Sequence, residues 1–535
     1  AKVPKPVGPS AIGRKIVPPT KTPRELTTKE VEQLVEDFVN AALRAKKAGF
    51  DMVEVHGTHG YLVCQFLSPL TNKRTDKYGA DRVLFAEEIV RRIKEKCGED
   101  FPVIFRLCTN EFLEGGITIE YAKEIAKRLE EAGVDAFDIT GGNYDTMDLL
   151  LMPMYHEKEG FFFELAAEIK KVMNVPVISG GLITNPEVAE KAIKDGIVDM
   201  VFLGRQLIAD PEWPRKVKEG RVEDIRPCLA CNEGCIGGRV FDGKATACAV
   251  NPLSGLEYRW LSEEDIPKAK NKKKILIIGG GPAGLECARI AGIRGHNVTL
   301  VEKENELGGT VNIAAVPSFK KRLAKLIKWY KVQLKKLGIK VMTSTTATPE
   351  LIKKVDPDVV IIATGSEPLV PNIPGVENAV TADDVLLGKA TVGENVVVIG
   401  GGLVGCETAL YLAQQGKKVT IVEALPEVAK DLEPISKIAL TRKGGLFEKY
   451  GINVITNSPV AEIRKGEVVT VDEIGRRRSI SADSIVIAVG RKPIIPEEFI
   501  SEAKKIGKEV YIIGDAKVPR KVIDAIREGF SAAID

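Results

Sequence analysis

From about residue 28 to residue 210, short apolar runs alternate with longer stretches whose apolar residues recur at helical spacing. The short runs fall at residues 52–55, 103–107, 136–139, 177–178 and 200–203, and the helical stretches open near Arg82, Thr118, Phe163 and Asn185. Strands separated by helices pair in parallel through right-handed crossovers. A further helix precedes the first strand. Its start is Thr27-Thr28-Lys29-Glu30, where Thr27 and Glu30 fit a capping box, and it runs to about Lys47 with Gly49 as its stop. Residues 1–27 hold many Pro and Lys without periodicity and predict a surface loop. His56, Arg106, Thr140, Gly180 and Gly204 come just after the strands, which in a closed parallel barrel ring the active-site mouth. Five strand–helix units are visible where a (β/α)8-type barrel has eight, so an N-terminally incomplete barrel, belonging to a fragment, is expected.

Residues 211–270 lose this periodicity. The alternation resumes after Lys274 with an apolar strand at 275–278, a glycine-rich turn and a helix, and the same unit returns at 396–399. Such a repeat predicts two nucleotide sites. The first turn is Gly279-Gly280-Gly281-Pro282-Ala283-Gly284, and Glu302 ends the next strand, 297–301. The glycines permit a tight turn and close approach of a pyrophosphate to a helix N-terminus, and a carboxylate at that distance suits a ribose. The second turn is Gly400-Gly401-Gly402-Leu403-Val404-Gly405, with Glu423 ending the strand at 418–422. An acid there pairs with a 2′-hydroxyl and repels a 2′-phosphate, which favours NADH over NADPH. Thr364-Gly365 and Gly514-Asp515 each follow an apolar strand.

Composition narrows the class. The 77 basic and 74 acidic residues leave a net charge of +3, which argues against a nucleic-acid partner. The basic run 268–274 reads as a linker into a domain. No apolar run is long enough to span a membrane and no secretory segment opens the chain, so a cytoplasmic protein is expected. Among nine cysteines, Cys228, Cys231, Cys235 and Cys248 cluster as C-x2-C-x3-C with one distal partner. Zinc sites more often use two matched pairs, and the unequal spacing fits a [4Fe–4S] cluster better.

The C-terminal half resembles the two-dinucleotide flavin disulfide-reductase fold. That resemblance implies that the first motif, with Thr364-Gly365 and Gly514-Asp515, holds FAD and that an inserted domain holds the nicotinamide. Cys287 and Cys406 stand singly in their helices, so a redox disulfide is not expected and both read as core thiols. His56-Gly57-Thr58-His59-Gly60-Tyr61-Leu62, residues 65–69 and residues 72–79 closely resemble the old yellow enzyme family. The order of barrel, cysteine cluster and two dinucleotide modules resembles its multi-domain branch: 2-enoate reductase, 2,4-dienoyl-CoA reductase and trimethylamine dehydrogenase. By resemblance, the barrel binds FMN, Arg106 contacts its ring, and Gly180-Gly181 with Gly204-Arg205 hold its phosphate. His56 and His59 would bond a substrate carbonyl and Tyr61 would donate the proton, with His156 as a further candidate acid. Arg74 and Asp76 read as a structural ion pair.

The expected organisation is a barrel at 1–225, a cluster segment at 226–270, an FAD domain at 271–390 and 496–535, and an NAD domain at 391–495. The expected activity carries electrons from NADH through FAD, [4Fe–4S] and FMN to an enoate or enoyl-CoA, with homo-oligomerisation left open. The rivals are an amine dehydrogenase, an NADH oxidase and a redox-inactive nucleotide-binding subunit.

Overall fold

The computed structural model describes residues 6–13, 21–156, 158–472 and 474–534. It divides into two compact units, residues 1–152 with 157–204, and residues 153–156 with 205–535.

The first unit is built on a five-stranded parallel sheet: Val53–Gly57, Val103–Cys108, Ala136–Thr140, Val177–Ser179 and Met200–Val201, paired in chain order. Helices Leu84–Cys97 and Ile119–Glu131 bury Phe85, Ile89 and Val90, and Ile125 and Leu129. Val103, Phe105 and Leu107 are buried, while Ile104 and Arg106 between them are only half-buried, as the alternation of a strand requires. The leading helix Thr28–Lys47 begins with the expected capping box, Glu30 N donating to Thr27 Oγ1 and Thr27 N to Glu30 Oε2. Its last turn carries Arg44, Lys46 and Lys47, which suit the negative end of the helix dipole. The expectation of a loop over residues 1–27 needs correction: Val7–Gly8 pairs in parallel with Arg24–Glu25. Buried Arg74 ties down this segment by donating to the Pro9 and Leu26 carbonyls and pairing with Asp76. Periodicity cannot reveal a pairing only two residues long.

The second unit contains two five-stranded parallel sheets. The first runs Lys340–Met342, Asn297–Val301, Lys274–Ile278, Val359–Ile362 and Glu509–Ile512. Its last strand comes from near the C-terminus, after the chain has built the whole second sheet. That second sheet runs Val380–Thr381, Ser484–Ile487, Asn395–Ile399, Lys418–Val422 and Asn453–Ile455. An antiparallel meander, Val460–Arg464, Glu467–Val471 and Arg477–Ser481, completes the inserted part. Residues 211–270 are not wholly irregular, because Glu233–Phe241 forms a π-helix. Gly234, Gly237 and Gly238 weaken the ordinary helical signal there.

Two close approaches fix the strand–turn–helix units. A Cβ on Gly284 would lie 2.0 Å from Gly279 O, and one on Gly405 would lie 1.9 Å from Gly400 O. The helix Pro282–Ile293 also packs against Val522–Ile534 through Gly529, whose Cβ would fall 2.3 Å from Ala283 O. Gly529→Ala therefore forces two helices apart, and it should lower the unfolding free energy of this unit by about 1–3 kcal/mol in urea titrations. An unchanged midpoint would show that the backbones are not in contact.

Candidate functional site

In the first unit the parallel register sets His56 beside Arg106 and Arg106 beside Asp138. Beyond the first strand the chain turns sharply through His59, at φ +60°, into the short helix Leu62–Leu67, with Tyr61 at its N-cap. The His56 ring lies 5.2 Å from His59 and 5.1 Å from Tyr61, both edge to face, and Tyr61 lies 5.5 Å from Tyr144. His59 Nε2 is 3.2 Å from Thr140 Oγ1. Tyr61 is exposed. The three sequence-selected residues His56, His59 and Tyr61 are thus one group.

Charge shapes this group. Burial, then Arg106 and then His56, push His59 down to about 3, so the ring is neutral at ordinary pH. Burial and Arg106 also lower His56, against the opposing charge of Glu54. Arg106 stacks 4.9 Å over Phe202, and its Nε lies 3.4 Å from Asp138 Oδ2. Burial raises Asp138 to about 7 although Arg106 pulls the other way.

Sequence reasoning missed Asp138, Tyr144 and a buried carboxylate, Glu111. Glu111 Oε2 accepts from Ser68 Oγ and Ile117 N, and Oε1 from Asn143 Nδ2. Glu111 thereby ties the helix bearing Tyr61 to the turn bearing Tyr144. The available signal was position: all three sit on or just beyond the second and third strands.

Gly180 and Gly181 adjoin Phe161 and Phe162, whose backbone amides donate to the carbonyls of Gly181 and Gly180. A Cβ on Gly180 would lie 2.7 Å from Phe202 O, and Gly181 has φ +101°. A Cβ on Gly204 would meet no atom within 4 Å. Arg205 opens the second unit, donates to Asn232 Oδ1 at 2.5 Å and lines a cavity of cysteines. His156 also falls in the second unit.

That cavity is lined by Cys228, Cys231, Cys235 and Cys248 together with Arg205, Asn232 and Gly234. Ala230 and Asn232, on either side of Cys231, take left-handed φ values of +55° and +58°. Asn adopts this conformation readily, whereas at Ala230 it carries a cost. Among the described residues no group of three or more His, Cys, Asp or Glu converges as a single-ion site. Burial raises the Cys231, Cys235 and Cys248 thiols, with Cys248 pushed up to about 12.

In the second unit the two glycine turns are built alike. Gly280 N donates to Glu302 Oε2 at 2.7 Å, and Gly401 N donates to Glu423 Oε2 at 2.6 Å. Each glutamate's other oxygen accepts a second amide, from Glu304 and from Leu425. Around the first turn the separated segments converge. A Cβ on Gly279 would meet Ala363 O at 2.2 Å, and one on Gly514 would meet Ala283 Cβ at 2.7 Å. Thr364 Oγ1 donates to Ile494 O, Gly365 has φ +75°, and Asp515 Oδ2 accepts from Ser366 Oγ. A Cβ on Gly281 would meet nothing within 4 Å, which leaves room for a pyrophosphate at that helix start. Cys287 and Cys406 are buried in their helices.

Fold and site together define a multidomain α/β oxidoreductase in which a parallel barrel-type sheet accompanies two dinucleotide-binding folds. Residues 2–224 match the NADH:flavin oxidoreductase / NADH oxidase family, and residues 248–354 and 273–529 match pyridine nucleotide-disulphide oxidoreductases. An NADH oxidase of Thermoanaerobacter brockii is 48% identical, over 96% of this chain and 79% of that protein. A cinnamate reductase of Clostridium sporogenes is 40% identical, over 98% of this chain and 82% of its own. The solved 2-naphthoyl-CoA reductase complexed with 2-naphthoyl-CoA superposes with a TM-score of 0.91 at 37% identity, over 99% of this chain and 80% of that one. The chain belongs to the NADH:flavin oxidoreductase / NADH oxidase family, with an FMN barrel-type domain followed by FAD/NAD-binding domains. Among the described residues no helix is long and apolar enough to cross a membrane.

The neutral His59 has a measurable consequence. Its native pKa lies below the unfolded value of 6.5, so its stabilising effect is complete above pH 6.5 and is lost as pH falls from 6.5 towards about 3. The parent should lose up to about 1.4 kcal/mol per pH unit through this residue alone. Urea titrations of His59→Gln between pH 7 and pH 4 should show a shallower decline, and an identical decline would show that His59 is protonated in the native state.

Proposed function

We propose that the chain transfers reducing equivalents from NADH to the C=C bond of an α,β-unsaturated acid or acyl-CoA. The observation that carries this reading is the grouping of two neutral histidines with Tyr61 beside Arg106. The cinnamate reductase and 2-naphthoyl-CoA reductase among its relatives support the substrate class. The proposed domains are a barrel at 1–225, a cluster segment at 226–270, an FAD domain at 271–390 with 496–535, and an NAD domain at 391–495.

FMN, FAD and a [4Fe–4S] cluster would supply hydride and single-electron transfer when bound, in the order NADH, FAD, cluster, FMN, alkene. Cys228, Cys231, Cys235 and Cys248 line one cavity, which is what supports a shared cluster there. Arg205 fits beside it, where a cation offsets thiolate charge. Gly279, Gly281, Gly284, Glu302, Thr364, Gly365, Gly514 and Asp515 would hold FAD, and Gly400, Gly402, Gly405 and Glu423 would hold NADH. In the barrel, Arg106 would face the FMN ring, with Gly180, Gly181 and Gly204 near its phosphate.

The reaction consumes NADH and one proton and yields NAD+ and the saturated product. A hydride adds to the β-carbon, and negative charge grows on the carbonyl oxygen. His56 and His59, being neutral, can each donate an N–H to that oxygen. Tyr61 gives its proton to the α-carbon. Asp138 would hold Arg106 in place. The NADH oxidase relative favours a second reading in which oxygen is the acceptor.

The test is anaerobic. NADH should bleach the flavin absorbance, and an enoic acid or enoyl-CoA should restore it. Tyr61→Phe should slow the restoration by about 10²–10⁴-fold while reduction by NADH is unchanged. Bleaching that only oxygen reverses would select the oxidase reading, and no bleaching by NADH would reject a nicotinamide donor.

A further inference from the structure

The two glycine motifs correspond position by position at constant spacing: Gly281 with Gly402, Glu302 with Glu423, Leu307 with Val428, Gly308 with Ala429, and Thr310 with Asp431. The backbone keeps the correspondence. Gly308 N donates to Gly280 O at 2.8 Å, and Ala429 N donates to Gly401 O at 2.6 Å. Leu307 and Val428 likewise stand where a Cβ on Gly280 or Gly401 would reach, at 2.6 Å in each case.

The two copies differ at the start of the motif helix. No atom lies within 4 Å of a Cβ on Gly281, whereas a Cβ on Gly402 would meet Asp431 Oδ2 and Oδ1 at 3.3 and 3.4 Å. Leu403 N donates to Asp431 Oδ1 at 2.8 Å. That amide is among the donors without an intrahelical partner at the head of the helix Leu403–Gln414, the end of such a motif that receives a pyrophosphate. The chain therefore presents its own anion there, while in the first copy the corresponding Thr310 is uncharged and Pro282, in the place of Leu403, has no N–H to cap. The loop that delivers it is shaped for the purpose: buried Ala429 has φ +57°, a conformation an alanine adopts at a cost, where the first copy has Gly308 at φ +130°. Asp431 itself is exposed, so its carboxylate can leave into water without disturbing the core.

We propose that Asp431 is an internal competitor for the pyrophosphate of the nicotinamide dinucleotide, so that NADH enters the second motif by displacing it. The inference rests on the reading that the second motif takes NADH. It gives one fold two residence times. The first motif, with no carboxylate at the equivalent position, retains its dinucleotide as a resident cofactor, whereas the second releases one that must exchange at every turnover.

The test uses the full chain loaded with FAD and titrated with NAD+, which binds without reducing the flavin. Asp431→Asn and Asp431→Ala should each lower the Kd by about two- to five-fold, the effect expected of one charge at a helix start. The gain should shrink as ionic strength rises, and FAD content should be unchanged. Kd values equal to or weaker than the parent's in both variants would overturn the inference and leave the donor reading intact. NAD+ binding by neither parent nor variants would overturn both.

Discussion

The molecule depends on how closely a helix can approach the strand before it. At Gly284 and Gly405 a single methyl group would fall within about 2 Å of a backbone carbonyl, at 2.0 and 1.9 Å. Only glycine allows the helix to begin close against the strand end, with its free amides facing outward where a phosphate can reach them. Glu302 and Glu423 then lock each turn by accepting the amide inside it. Both dinucleotide sites follow from this constraint, imposed twice. After the second turn and its sheet, the chain returns to the first sheet through Glu509–Ile512, which pairs with Val359–Ile362.

The other unit works through electrostatics more than through close approach. Burial does most to lower His56 and His59, Arg106 on the neighbouring strand lowers both further, and it opposes the upward push of burial on Asp138. Asp138 in turn pairs with Arg106 at 3.4 Å. The cysteine cavity solves a different problem, collecting four thiols around a shared space with left-handed backbone at Ala230 and Asn232.

Much of this was legible in the sequence because it rests on local rules. The capping box at Thr27, the five barrel-type strands and the two glycine turns with their acids all lie within a few residues of their signals. The pieces that escaped depend on the third dimension or on weak local preference. Asp138 matters because strand register sets it beside Arg106, and no spacing in the chain reveals that. Glu111 looks like any surface acid until Ser68, Ile117 and Asn143 surround it. The contact of Arg205 with Asn232, 27 residues further on, is likewise invisible in the local pattern. The π-helix Glu233–Phe241 is masked by its glycines.

The central claim is that one chain joins a nicotinamide site to an alkene site through an iron–sulfur cluster. Iron and acid-labile sulfide assays on anaerobically purified protein, with electron paramagnetic resonance recorded before and after NADH, test it most directly. The account predicts about four irons per chain, a paramagnetic signal that appears on NADH addition, and loss of both in Cys235→Ser. Iron-free protein that still couples NADH oxidation to alkene reduction would contradict it.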